Sequence, residues 1–360
     1  EETKHLTEAM SDAGPTLQWD ASVVADKHSI GGIAGNCITP IVVSIVTAAG
    51  VTMPKSSSRA VTSPAGTADV MEVICDVEFS LAEIERIVAE TNGCLVWGGG
   101  VDLSPVDDDI IRAENPLSLD PPGQVMASVL SKKRAAGSTH VILDIPYGEG
   151  AKMESLPAAR ELAEDFQRVG DHLDMAVTTA ITDGNEPVGQ GVGPALEARD
   201  VLAVLDGGGP ASLRMKAVQF ADQLFEHCDV EASANAILDS GQAQEQFERI
   251  LAAQNGDPDV EAADLNIGPR SLTVTADRSG IVSRIDNRQI CDLARRAGAP
   301  RDAGAGLEFH CEIHEKVETG EDLYTVYASR QPKLDEATDL AERIEPVRIR
   351  DRGDTFVERR

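Results

Sequence analysis

The chain has 360 residues, 42% of them apolar but only 3% aromatic, and its 61 acidic and 32 basic side chains leave a formal net charge of −29. Charge of that sign and size argues against DNA, RNA or an anionic membrane as a partner, and no apolar run reaches membrane-spanning length. What remains is a cytoplasmic protein of one large or two smaller domains, with a core built from Ala, Val, Ile and Leu.

Only nine of the 32 basic residues are lysine. An acidic, lysine-poor, aromatic-poor chain points to salt adaptation and a halophilic source, with an ordinary acidic enzyme as the plainer alternative. Six cysteines, at 37, 75, 94, 228, 291 and 311, are scattered with no zinc-ligand spacing. Reduced thiols and no metal are expected.

The first residues, "EETKHLTEAM", read as the inside of a helix and suggest a fragment. "DKHSIGGIAGN" (26–36) then places Gly31, Gly32 and Gly35 on a loop entering an apolar helix, "CITPIVVSIVTAAG". Such a loop can turn several backbone N–H groups toward one anion, helped by the helix dipole; a plain glycine turn is the alternative. His28 flanks the loop and is read as orienting it. The stretch 51–74 gathers Ser56, Ser57, Ser58, Thr62 and Ser63 beside Lys55 and Arg59. Within it, "AGT" predicts a helix from Ala68 with Thr67 as its N-cap. "SLAE" (80–83) is a capping box for a helix ending at Asn92–Gly93. "CLVW" (94–97) reads as a short buried strand with "GGG" as its exit.

"PLSLDPPGQ" (116–124) is a turn feeding a helix over 123–135, which puts Ser128 and Lys132 on one face at i and i+4. Asp120 stands just before that helix. A hydroxyl, a cation and a carboxylate in this arrangement suit a heterocyclic base with an acid beside it; a helix-entry aspartate is the alternative. A strand from His140 runs into a glycine-rich loop carrying Lys152, either a phosphate or base contact or a solvated lysine. A helix over 154–169, a strand over 175–181, a helix over 193–205 and amphipathic helices near 211–227 and 241–254 follow. This alternation predicts an α/β fold with a largely parallel sheet flanked by helices, whose ligands bind beyond the carboxyl ends of its strands. Residues 270–349 alternate apolar with polar and form a C-terminal β-rich α+β module, in which His310 and His314 are strand-face residues. Residues 351–360 are a charged, frayed tail. Five of the nine lysines, at 27, 55, 132, 133 and 152, fall inside the small-residue motifs, which a random surface role does not predict.

Taken together, "KHSIGG", "SSRAVTSPAGTADVMEV", "GCLVWGGG", "PLSLDPPGQVMASVLSKK", "GSTHVILDIPYGEGAK" and "GVGPALEARDVL" resemble the thymidine phosphorylase family, and specifically its archaeal AMP phosphorylases, from about His5 through the β-rich end. The resemblance implies phosphorolysis: inorganic phosphate attacks C1′ of a nucleoside 5′-monophosphate (AMP, CMP or UMP), the base leaves, and ribose 1,5-bisphosphate forms. It implies no cofactor and no metal. By position, Asp120 matches the proton donor to the leaving base. Gly32, Ser58, Arg59, Ala60, Val61, Thr62, Ser63, Thr67, Ser128 and Lys152 match nucleotide contacts. Lys27, Ser29 and Thr67 match phosphate ligands of thymidine phosphorylases, and Lys132 matches a base contact there. The implied division is a helical domain (1–25 and 108–137), an α/β domain (26–107 and 138–268) and the C-terminal module (269–350). The resemblance also implies upstream helices, a homo-oligomer of at least two copies, and weak activity and poor dimerisation for residues 1–360 alone.

Two departures favour a nucleotide over thymidine. Ile38 stands where thymidine phosphorylases place a phosphate-contacting serine, so Thr39 or the backbone must serve. Arg112 lies one residue further from Asp120 than the base-clamping arginine of those enzymes. The alternatives are a thymidine or pyrimidine-nucleoside phosphorylase, a phosphoribosyltransferase with Asp69 and Glu72 near a magnesium ion, and a non-catalytic nucleotide binder. The charge itself gives a first test. Carboxylate repulsion destabilises the compact state at low ionic strength and is screened at high. The melting temperature should therefore rise with KCl concentration; a flat or falling curve in thermal melts would rule out salt adaptation.

Overall fold

The computed structural model describes residues 2–60, 63–101, 105–107, 110 and 121–351. Five parallel strands carry the α/β region: β1 (Ala25–Ser29), β2 (Met53–Ser57), β3 (Gly93–Trp97), β4 (His140–Tyr147) and β5 (Ala176–Asp183). β2 pairs with β3, and β1 with β4 and β4 with β5, all parallel. The two groups join at a bridge between Val24 and Thr52, where Ala25 N donates to Thr52 O at 2.8 Å. Among the described residues the pairing goes no further, so β1 and β2 part toward their carboxyl ends and open a cleft.

Helices cover this sheet as the sequence predicts. Helix α2 (Thr39–Ala48) is buried over nearly its whole length, consistent with its continuous run of Ile and Val. Helix α3 (Thr67–Met71) starts one residue before its expected position, with Gly66 as the N-cap. The Asp69 carboxylate takes the Gly66 N–H at 2.8 Å and the Ala60 N–H at 2.6 Å, so Thr67 is not needed as the cap. Helix α4 (Leu81–Thr91) has the expected box: Ser80 N donates to Glu83 at 2.8 Å, and Asn92 ends it in the left-handed region at φ 60°. Helix α5 (Pro122–Ala135) packs against α1 (Glu2–Asp12), and Arg134 pairs with Asp12 at 2.7 Å. Helices α6 (Leu156–Asp171), α7 (Pro194–Leu205), α8 (Ala211–His227) and α10 (Gln242–Ala253) match their predicted positions to within two residues at either end. The short α9 (Ala234–Asp239) was not foreseen, nor were β1 and β2, which the sequence pattern assigns to loops. No helix among the described residues is long and apolar enough to cross a membrane.

The C-terminal module has its own core around Tyr324, Val326, Ile290 and Leu293. One antiparallel sheet runs β6 (Gly191–Val192), β9 (Gly306–Phe309), β11 (Asp322–Ala328), β7 (Arg270–Thr275); the other runs β10 (Lys316–Val317), β8 (Gly280–Ile285), β12 (Val347–Arg350). Helices α11 (Asn287–Ala297) and α12 (Gln331–Ala341) cover them. Helix α11 buries Ile290, Leu293, Ala294 and Ala297, an i, i+3, i+4, i+7 stripe.

The module is stitched to the α/β region. β6 lies just before α7 yet pairs with β9. Asn287, fully buried, reaches across: its Oδ1 accepts from Ala34 N at 3.3 Å and its Nδ2 donates to Gly184 O at 3.0 Å. It thereby ties the module to the glycine loop after β1 and to the turn after β5. Replacing Asn287 by alanine leaves two buried backbone groups unpaired, at a cost of about 1–3 kcal/mol each. The melting temperature should fall clearly for Asn287→Ala. It should barely move for Arg288→Ala, whose partner Glu154 is as exposed as Arg288 itself. Equal melting temperatures for the two variants would show that Asn287 carries no such bridge.

Candidate active site

A cavity of about 260 Å³ lies in the cleft where β1, β2 and β3 end. Strand alternation sends Lys27 and Ser29 to one face of β1 and Asp26 to the other. Lys27 is buried, and its Nζ donates to Ser29 Oγ at 2.9 Å and lies 3.5 Å from Thr39 Oγ1. Ser29 in turn donates to Asp144 Oδ2 at 2.6 Å. Asp144, fully buried on β4, also accepts from Thr182 at 2.6 Å and pairs with Lys216 of α8 at 2.9 Å. Burial pushes the Lys27 ammonium down to about 8, with Asp144 opposing the shift and Lys216 adding to it.

The opposite face of β1 holds a second buried set. Asp26 pairs with Lys133 at 2.9 Å and Lys55 at 3.4 Å, and accepts from Ser138 at 3.1 Å. Burial works to raise the Asp26 carboxyl, but the two lysines and their hydrogen bonds hold it below its ordinary value. Burial also lowers Lys133, with Asp26 pulling the other way. His28 lies amid these cations; burial first, then Lys133, Lys55, Lys132 and Lys27, drive its pKa well down, so it stays neutral. Lys27, Lys55, Lys132 and Lys133 all line the cavity. Thus four of the five lysines singled out in the sequence converge, joined from behind by Lys216.

Ser128 and Lys132 meet as their spacing predicts, Nζ to Oγ at 3.4 Å. The carboxylate on Lys132 is Asp107, fully buried, at 2.6 Å. Asp120, Arg112, Val61 and Thr62 lie outside the described residues. Ser58, Ser63 and Thr67 line the cavity with Gly32, whereas Arg59, Ala60, Ser128 and Lys152 are not among its lining residues. Arg59 stacks on Trp97 at 4.6 Å and gives its guanidinium to Glu72 at 2.7 Å and Glu78 at 3.0 Å. Lys152 is exposed, but its backbone nitrogen lies 3.3 Å from where a Cβ on Gly32 would stand, and Gly32 has φ +103°. Gly35 is tighter still, since a Cβ there would sit 2.6 Å from Val188 O. The loop therefore needs glycine to fold back against these neighbours.

Several site groups carry no signal in the sequence. Asp26, Asp144 and Lys216 find their partners only through the fold. The Ser57 hydroxyl and Asn36 Oδ1 are buried on the cavity wall with no hydrogen-bond partner among the described residues. Glu197, in the first turn of α7, also lines the cavity; burial pushes it up to about 8, while the hydrogen bond from Gly193 N at 3.1 Å pulls the other way. Cys37, on the same wall, has its thiol pushed well up by burial and is no nucleophile. Among the described residues no group of three or more His, Cys, Asp or Glu could hold a metal ion.

Known proteins resemble this chain in sequence and in fold. Residues 21–108 match the glycosyl transferase family a/b domain, and residues 281–345 the pyrimidine nucleoside phosphorylase C-terminal domain. The chain is 58% identical to an AMP phosphorylase of Natronomonas pharaonis, with 100% of this chain and 73% of that protein covered. Identity to an AMP phosphorylase of Thermococcus kodakarensis is 49%, covering 97% and 71%. Identity to a putative thymidine phosphorylase of Hahella chejuensis is 46%, covering 94% and 68%. The fold is shared with an anthranilate phosphoribosyltransferase of Thermus thermophilus at a TM-score of 0.57 and 19% identity, over 71% of this chain and 85% of that one. On the strength of these similarities, which span nearly all of this chain and about seven-tenths of each relative, the chain belongs to the AMP phosphorylase family.

Proposed function

We propose that the chain catalyses phosphorolysis of nucleoside 5′-monophosphates. The observation that carries this reading is the convergence of four lysines on one cavity in a chain with only nine. In the step, a phosphate oxygen forms a bond to C1′ while the C1′–N bond breaks and its electron pair leaves with the base. Asp120 gives the base a proton, a contribution of about 10²–10⁴-fold for a positioned acid. The products are free base and ribose 1,5-bisphosphate. Lys27 and Ser29 hold the attacking phosphate, with the unpaired Ser57 hydroxyl free to join them. Orientation and electrostatic stabilisation supply much of the remaining acceleration. Lys132 faces the base, anchored by Asp107. For Arg59 to take the 5′-phosphate as a bidentate fork, it must exchange Glu72 and Glu78 for the ligand. Segments 1–25 and 108–137 belong to one helical domain, the enzyme is at least a dimer, and the protein works in a salt-rich cytoplasm.

Product analysis tests the reading. With AMP, adenine release should require inorganic phosphate and yield ribose 1,5-bisphosphate; faster release of thymine from thymidine would favour a nucleoside phosphorylase instead. Asp120→Asn should lower kcat by at least about 10²-fold with nucleotide binding largely kept; near-normal turnover would remove Asp120 from the role.

The pH dependence follows from two groups. As pH rises through about 8, Lys27 loses its positive charge and Glu197 gains a negative one. Both changes make the cavity less attractive to a dianion, so kcat/KM for phosphate should fall above that pH with a slope steeper than one proton gives. Glu197→Gln keeps the acceptor for Gly193 and should reduce the limb to a single proton. Lys27→Gln should lower kcat/KM for phosphate by about 10²-fold or more. A profile that stays flat to pH 9 would contradict both assignments.

A further inference from the structure

Away from the cleft, the C-terminal module has a second concavity of about 410 Å³, where the end of α11, the turn at 298–302 and the start of α12 meet. Its charge runs against that of the chain. Arg295, Arg301, Arg330 and Lys333 line it, with Asp302 as the one carboxylate among the lining residues, although acids outnumber bases 61 to 32 overall. Asp302 is turned to Ser329, whose hydroxyl donates to it at 2.6 Å, and Lys333 pairs with Glu336 at 2.7 Å. Arg301 and Arg330 differ. Both are exposed, and among the described residues neither has an ion-pair or side-chain hydrogen-bond partner. Arg330 is also the N-cap of α12 and makes no capping hydrogen bond with its side chain.

Among the described residues Arg301 and Arg330 thus keep their guanidinium donors without a protein partner on one concave surface. An anion can take those donors. We propose that this concavity is a second anion site, which takes a small, multiply charged phosphorylated metabolite gripped by the forks of Arg301 and Arg330. Arginine suits the task because it takes phosphate oxygens in a bidentate manner. The volume lies in the range of small-ligand pockets, about 300–1,000 Å³. Inorganic pyrophosphate and a nucleoside monophosphate share the required chemistry. The site is independent of the catalytic reading and does not fall with it.

Isothermal titration of the full chain at fixed KCl concentration tests the proposal, with pyrophosphate and AMP as separate probes. Lys27→Gln combined with Arg59→Gln weakens both phosphate subsites proposed for the cleft and isolates the second site. That variant should still bind one equivalent of one probe or the other. Adding Arg301→Gln and Arg330→Gln should abolish this equivalent, while the same pair in the wild-type background leaves kcat unchanged. Arg301→Lys with Arg330→Lys should retain binding, weaker by about tenfold as the forks are lost, and shows that loss in the Gln pair is not misfolding. Tighter binding of AMP assigns the site to a nucleotide, and tighter binding of pyrophosphate to an inorganic ligand. Binding of neither probe to the Lys27→Gln, Arg59→Gln variant, or binding that survives the further Arg301→Gln and Arg330→Gln substitutions, overturns the proposal.

Discussion

Two buried carboxylates, Asp26 on β1 and Asp144 on β4, set the terms for everything around the cleft. Neither is exposed to solvent, and each is held below its ordinary pKa by lysines against the pull of burial. Asp26 holds Lys55 and Lys133; Asp144 holds Lys216 and, through Ser29, the head of Lys27. Such networks seldom stabilise a fold beyond what apolar residues of the same volume would give. Their effect here is positional. They draw lysine side chains from β1, β2, α5 and α8 to the point where the sheet parts.

The sum of charge in that network matters more than any one pair. Four lysines face two carboxylates, so these six side chains carry a surplus of positive charge in a buried place. Burial relieves the surplus by lowering the affinity of Lys27 and Lys133 for protons. Any dianion that entered the cavity would cancel the surplus instead and favour those protons, so that its binding and the charging of the lysines would be one event.

Much of the helical framework was legible because its signals are local. Ser80 and Glu83 specify a helix start that needs nothing beyond four residues, and both hydrogen bonds are present. Lys132 and Ser128 met because helix geometry alone brings i and i+4 together. β1 and β2 were missed for the converse reason. Each is five residues long and buried along most of its length, with Asp26, Lys27 and Lys55 at buried positions. Apolar periodicity cannot reveal a strand whose interior positions are charged. The start of α3 was misread by one residue because Gly66 is the N-cap and Asp69, at N3, reaches back to accept the Gly66 N–H. The partners of Lys216 and Glu197 lie on other elements, so only the assembled sheet could reveal them.

The choice of lysine at the cleft follows from the same electrostatics. Elsewhere the chain uses arginine for most of its positive charge, with 32 basic residues and only nine lysines. Arginine cannot shed its proton at any pH a folded protein meets, whereas a buried lysine can. A cluster with more cations than carboxylates is less costly to bury if some of those cations can become neutral. Lys27, pushed to about 8, stands at the point where that exchange is cheap near neutral pH. Surface bases face no such demand, since water and salt screen them. This gives a physical reason for lysine, and not arginine, at positions 27 and 133, whose ammonium groups burial pushes toward neutrality.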